Sequence, residues 1–317
     1  MIRIFSGFGD MGGSTIALSN LVNLFNKRGY ETTMYVPSGH DWVLNQCRSE
    51  QLDGGFAKLL YNTCRQSEFV LKDFNILHRI LEEDDILICH LLPLYPQNYD
   101  PATKPREFDK KKVKKVIYAC HETDVYPITN INPSKFDLIQ YVSEYQRDWH
   151  DYKKVANVVI PNIMSPIEKR EKTIDFKKVG GVIGSITPAK RTHVAIQAAL
   201  DDGCDLVLVF GSKDVLVKDY WDKQISPLMK NKKVLYLGLC DDKSLMYSDL
   251  DVVYMASLRE ADSNIVKECA ILDIPCKHTN FLSEYADHTL DADKKITPAP
   301  ILSDDEIMMK WEEVFNQ

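Results

Sequence analysis

The sequence has no apolar run that approaches the ~18 residues needed to cross a bilayer. Its N-terminus runs straight into a strand-like segment, without the charged and apolar regions of a signal peptide. The eight cysteines (Cys47, Cys64, Cys89, Cys120, Cys204, Cys240, Cys269 and Cys276) contain no C-x-x-C pair. Several sit in apolar runs such as Ile86-Leu87-Ile88-Cys89, the pattern of small buried hydrophobes in a reducing compartment. Positive charge is not in excess: 39 Lys and Arg face 46 Asp and Glu, for a formal charge of −7. That balance argues against a general nucleic-acid binder, which carries a basic domain. No repeat, no low-complexity segment and no His/Cys/Asp cluster with metal-ligand spacing stands out. What is present is 317 residues, 44% hydrophobic and 27% charged. This is the composition of a soluble globular protein of about two domains, and the expected location is cytoplasmic.

The chain opens with an apolar strand, Met1 to Ser6, then the glycine-rich stretch Gly7-Phe8-Gly9-Asp10-Met11-Gly12-Gly13-Ser14. Ala17, Leu21, Leu24 and Phe25 then make one apolar stripe of a helix from about Thr15 to Arg28, with Gly29 as its C-cap. A second strand follows from Thr32 to Val36, and this β–loop–α–β unit is the start of a Rossmann-like fold. Gly7-x-Gly9-x-x-Gly12 formally satisfies the dinucleotide fingerprint, so an NAD(P)-dependent oxidoreductase is one alternative. The acidic residue required at the end of the second strand is missing, since Pro37 and Ser38 stand there. Residues 40–83 read as helical and polar, Asp85 to His90 as a buried strand, and Leu91 to Pro105, with four prolines, as a loop. Lys110, Lys111, Lys112, Lys114 and Lys115 form a basic run, read as a solvated face or as at most peripheral contact with acidic lipid. The strand Val116 to Cys120 ends in His121. Ligands in open α/β sheets sit beyond the carboxyl ends of the strands, and a histidine there can bind a hydroxyl or handle a proton near neutral pH. Phe136 to Val142 and Val155 to Ile160 are further strands.

In the second half, Val179 to Gly184, Asp205 to Gly211, Lys233 to Gly238 and Asp251 to Ala256 read as near-continuous apolar strands. Helical segments between them, among them Thr192 to Leu200 and Ser244 to Ser248, imply a second parallel, helix-covered sheet. Lys190 and Arg191 precede the first of those helices, where the helix dipole opposes cations, and this misplacement suits an anionic ligand. Glu260 and Glu268 stand eight apart, with the N-capping residues Asp262, Ser263 and Asn264 between them. Asn264 to Leu272 then reads as a helix that buries Ile265, Ala270, Ile271 and Leu272, with Pro275 past its end. Its exposed first N–H groups suit a phosphate; on spacing alone the two glutamates read as ordinary surface residues of a helix. Ser303-Asp304-Asp305-Glu306 is a capping box opening a last helix whose Ile307, Met308, Trp311 and Phe315 share a face.

The stretch from Ser257 to Pro275 resembles the E-x7-E segment of retaining glycosyltransferases of the GT-B fold, family 4 in particular. That segment reads Ser-x-x-Glu-Gly-Phe-Gly, then aliphatic residues, Glu-Ala and Gly-x-Pro. Ser257, Glu260, Glu268, Ala270 and Pro275 match in place or nearly so; Asp262 and Ser263 replace Phe-Gly, and Asp273 replaces Gly. Gly12-Gly13, the strand ending in His90, His121, the junction Pro161-Asn162 and Lys190 also match the family, whereas Ser185 stands where it has an arginine. The resemblance implies an α/β protein with two Rossmann-like domains facing across a cleft: an acceptor-side domain over 1–158, a nucleotide-sugar domain over 159–302, and a helix over 303–317 crossing back to the first. It implies transfer of a sugar from a UDP- or GDP-linked donor to an acceptor hydroxyl with retention, without a metal or cofactor. Glu268 would bind the ribose hydroxyls. Glu260, with Ser263 and the amides of Asn264 and Ile265, would hold the donor sugar and diphosphate. Lys190, with Arg191, would stabilise the leaving group, His121 would contact the sugar, and Gly12 and Gly13 the phosphate or acceptor. The acceptor, whether sugar, lipid-linked or protein, is not specified. The departures from the family pattern keep a non-catalytic nucleotide-sugar-binding protein as a further alternative.

Overall fold

A computed structural model describes residues 1–6, 13–35, 81–90, 110–121, 136–150, 155–164, 166–213, 218–240, 242–279 and 300–317. The Gly7–Gly12 loop, Pro37 and Ser38, Cys47 and Cys64, nearly all of the polar 40–83 stretch and the proline-rich loop after residue 90 lie outside the described residues. The chain divides into two units, Met1–Ile163 with Ala299–Gln317, and Met164–Pro298.

The first unit is built on a six-stranded parallel sheet of order β2-β1-β3-β4-β5-β6. Its strands are β1 (Ile2–Ser6), β2 (Thr32–Tyr35), β3 (Ile86–His90), β4 (Lys115–Cys120), β5 (Leu138–Tyr141) and β6 (Ala156–Val159). All five residues of β3 are buried, as expected where a parallel sheet is covered on both faces. Helices α1 (Gly13–Lys27) and α2 (Glu144–His150) follow β1 and β5. The last helix of the chain, Asp304–Asn316, also belongs to this unit and shares its core with α1. Its capping box forms as the sequence indicates: Ser303 Oγ accepts from Glu306 N, and Glu306 Oε2 accepts from Ser303 N at 2.8 Å. Phe25 of α1 meets Trp311 edge-on at 5.6 Å and Phe315 at 5.4 Å. The basic run is only partly solvated: Lys110 pairs with Asp137 at 2.5 Å, and Lys115 Nζ donates to the Val314 carbonyl, closing one end of the final helix.

The second unit holds a five-stranded parallel sheet of order β11-β10-β7-β8-β9. Its strands are β7 (Val179–Ile183), β8 (Leu206–Phe210), β9 (Val234–Gly238), β10 (Val252–Met255) and β11 (Cys276–His278). Helix α3 (Thr192–Asp201) and a short helical stretch, with one π-helical turn at Trp221–Ile225, pack with alternate strand residues such as Val207 and Val209. The residues between them, Leu208 and Phe210, pack with α4 (Lys243–Ser248) and α5 (Asn264–Leu272). The chain thus adds β8 and β9 on one side of β7, then returns to place β10 and β11 on its other side. Completing the chain order, Asp304–Asn316 is α6. Among the described residues no helix is long and apolar enough to cross a membrane, and Cys89, Cys120, Cys204 and Cys269 are buried.

Helix α5 buries a different face from the one hydrophobicity suggests. Val266, Lys267, Glu268, Cys269 and Leu272 are buried, whereas Ile271 is 42% exposed and Ala270 is exposed as well. The polar pair goes inward because each member finds a charged partner there, which offsets the cost of leaving water. Helix α2, the turns over 218–230 and β11 carry little apolar periodicity and were not expected from the sequence.

Gly211 ends β8 with φ +152°, and a Cβ there would lie 1.9 Å from the carbonyl oxygen of Gly184 at the end of β7. Gly211→Ala is therefore expected to cost about 3 kcal/mol, the upper end for forced overpacking. Gly203→Ala (φ +77°, with open space around its Cβ position) is expected to cost about 1 kcal/mol from left-handed backbone strain alone. Urea denaturation of the two variants checks the difference.

Candidate functional site

Strand order decides where a ligand can sit. In the second unit the order reverses beside β7, and the loops leaving the carboxyl ends of β7 and β10 part to either side of that point. This is where open α/β sheets bind ligands. Gly184 N donates to Phe210 O at 3.0 Å, holding the end of β7 against β8 before the chain turns through Thr187–Arg191 into α3. Arg191 caps that helix in the left-handed region with φ 46°. It is 7% exposed, and its Nε donates to the Ala256 carbonyl at 2.7 Å, tying the start of α3 to the end of β10. Leu258 N donates to Ala189 O at 2.9 Å, a second tie between the same loops. Lys190, next in line, projects a half-exposed ammonium that meets Glu260 Oε1 at 2.5 Å.

Beyond Glu260 the loop is fixed from inside. Asp262 pairs with Lys267, both side chains being almost wholly buried. Ser263 caps α5 by accepting from Val266 N, and it donates to Met255 Sδ. The amides of Asn264 and Ile265 are therefore in the first turn of a helix, where no intrahelical acceptor reaches them. Asn264 Oδ1 is buried without a hydrogen-bond partner. One turn on, Glu268 is 3% exposed: Oε1 meets Lys243 Nζ at 2.5 Å and Oε2 accepts from the Tyr247 hydroxyl at 2.7 Å. Burial, then the facing Glu268 carboxylate, push the Tyr247 phenol up, so it remains a donor. Lys243 and Tyr247 carry no sequence signal of their own. Their spacing on a short helix with Lys243 at its start was the available hint.

The structure brings Lys190, Arg191, Glu260, Ser263, Asn264, Ile265 and Glu268 into the second unit around the ends of β7 and β10. His121 and Gly13 belong to the first unit, and Gly12 lies outside the described residues. Gly13 opens α1, with no atom near its Cβ position. His121 follows β4 and stands edge-on to His90 of β3, ring centres 5.0 Å apart; His90 Nδ1 lies 3.1 Å from Ala119 O. Burial, then the neighbouring His90, hold the His121 imidazole well below the usual histidine range. At neutral pH it is therefore an uncharged donor and acceptor, suited to a hydroxyl.

No family model and no curated protein sequence matches the chain. Solved structures do. HepE of Anabaena, in complex with UDP-glucose, superposes with a TM-score of 0.58 at 15% identity, over 88% of this chain and 80% of that one. Sucrose-phosphate synthase of Thermosynechococcus elongatus gives 0.57 at 11% identity, over 88% and 81%. TarM of S. aureus gives 0.53 at 16% identity, over 77% of this chain; the chain spans 57% of TarM's length. The fold is the α/β fold with parallel sheets shared with GT-B glycosyltransferases.

Two outcomes follow from these buried groups, one in each unit. Lys267→Met removes the buried cation that pairs with Asp262 and is expected to cost about 3–5 kcal/mol. The double variant Lys267→Met/Asp262→Leu is expected to recover most of that loss, read by chemical denaturation. For His121 the folded pKa is depressed, so below the ordinary value of about 6.5 the unfolded chain takes a proton that the folded chain refuses. Its contribution therefore lowers stability as pH falls through that value. His121→Gln is expected to flatten the slope of stability against pH between about 7 and 5 relative to the wild type.

Proposed function

We propose that this protein is a retaining glycosyltransferase that takes a sugar from a nucleoside-diphosphate donor, UDP-linked by preference, and passes it to an acceptor hydroxyl. The observation that carries the reading is the grouping at the ends of β7 and β10: the free first turn of α5, with the Lys190–Glu260 pair on the loops beside it. Glu268, on the same helix, pairs with Lys243 at the start of α4. A helix N-terminus and a lysine suit a diphosphate, and a carboxylate suits two adjacent ribose hydroxyls. The preference for UDP rests on HepE, whose structures hold UDP and UDP-glucose.

In this reading Lys190 leaves Glu260 for the diphosphate when donor binds. It stabilises the charge that grows on the departing phosphate without forming a bond to it. Glu260, released, accepts a hydrogen bond from the donor sugar. Glu268 holds the ribose. His121, neutral, binds a sugar hydroxyl. Such retaining transfer uses no metal ion in this scheme.

The test begins with a thermal-shift screen of UDP, GDP, ADP and NADH. A nucleoside diphosphate at ~100 times its Kd is expected to add ~2.7 kcal/mol of stability; stabilisation by NADH alone would overturn the reading. Glu268→Gln is expected to weaken the free diphosphate about tenfold or more, as a lost hydrogen bond to a charged group does. Glu260→Gln releases Lys190, so diphosphate binding is expected to hold or tighten while turnover falls. Calorimetry with the nucleotide and kinetics with the donor separate the two, and NMR of the product from an α-linked donor reads the stereochemistry.

A further inference from the structure

Glu268 already has two partners. Tyr247 is buried and reaches Oε2 from the packed side of α4. Lys243 reaches Oε1 at 2.5 Å, and its side chain is 27% exposed against 4% for that of Glu268. The lysine is therefore the more exposed member of the pair, and the carboxylate the buried one. Lys243 is also badly placed for its own helix: it is the first residue of α4, where the dipole disfavours a cation. The N-cap before it, Asp242, is committed elsewhere, accepting from Leu245 N and pairing with Arg170. Glu268 is thus the group that holds this lysine in position.

A carboxylate alone offers acceptors only, about four lone-pair sites across its two oxygens. A hydroxyl both donates and accepts. An ammonium beside the carboxylate supplies the missing donor, because two of its three N–H groups remain after one is given to Oε1. The pair is also neutral overall, so it does not repel a diphosphate a few ångströms away as a lone glutamate would.

Resting on the nucleotide-donor reading above, we propose that Lys243 is a specificity-determining residue: with Glu268 it forms a donor–acceptor pair that reads the ribose hydroxyls and selects ribonucleotides against 2′-deoxyribonucleotides. A ligand without the 2′-hydroxyl leaves part of that buried pair unsatisfied, and sites built around a hydroxyl reject analogues lacking it.

The experiment is calorimetric titration of the full chain with UDP, GDP or ADP, whichever binds, and with the 2′-deoxy counterpart. The wild type is expected to prefer the ribo form by about tenfold or more, the scale of one charge-assisted hydrogen bond. Lys243→Met is expected to bring that preference to within about threefold, chiefly by weakening the ribo form, while Lys243→Arg keeps it, since a guanidinium still donates. If Lys243→Met does not fold, Lys243→Gln, uncharged but able to satisfy Glu268, is read by the same criterion. An unchanged preference in the uncharged variant, tighter binding of the ribo form, or no preference in the wild type would overturn the assignment. Absence of binding of any nucleoside diphosphate by the wild type would instead overturn the donor reading itself.

Discussion

A carboxylate cannot lie as deep as that of Glu268 without donors to replace its water, and the second unit is arranged around supplying them. Tyr247 and Lys243 come from α4, one turn apart on the same face. The same helix face packs Met246 and Tyr247 against Leu208, Phe210 and Cys269. The position of α4 against α5, and through α5 the position of the loop after β10, is therefore tied to two hydrogen bonds at one carboxylate. The Lys267–Asp262 pair, one residue earlier on the helix, works in the same way. Its burial costs desolvation and returns little net stability, but it holds the loop from Glu260 to Ser263 in one shape.

This solution differs in kind from a glycine-rich loop. Where a small residue lets backbone amides approach a phosphate closely, Asp262 and Ser263 achieve the exposed first turn of α5 through an internal ion pair and a side-chain cap. The amides are presented in either case; here their presentation depends on charge pairing. The cation side shows a related exchange. Ser185 stands where the resembling family has an arginine, and Arg191 is turned inward to the Ala256 carbonyl, which leaves Lys190 as the half-exposed cation of that turn.

The first unit follows a simpler logic. Strands β3 to β5 are buried almost throughout, α1 and α6 close one core through Phe25, Trp311 and Phe315, and the histidines at the ends of β3 and β4 meet because those strands are neighbours. Burial, then the neighbouring His90 that strand adjacency supplies, disfavours a proton on His121, so its electrostatics come from packing rather than from a residue next to it in the chain.

Much of this was legible in the sequence. Strands β1, β2, β3, β4, β7, β8 and β10 appear as apolar runs, α1 and α6 as apolar stripes, and the caps at Ser263 and Ser303 as short polar signals, because each depends only on spacing within a few residues. The α/β class follows from their alternation. The face of α5 that turns inward was not legible, because Lys267 and Glu268 are polar by every local measure and go inside only where tertiary partners await them. The ion pairs were not legible either: Lys190 and Glu260 are 70 residues apart and Lys243 and Glu268 are 25 apart. Periodicity and capping are properties of a segment and survive in the bare sequence. Which charges meet depends on strand order, since the reversal beside β7 brings distant loops to one end of the sheet, and only the folded chain decides that.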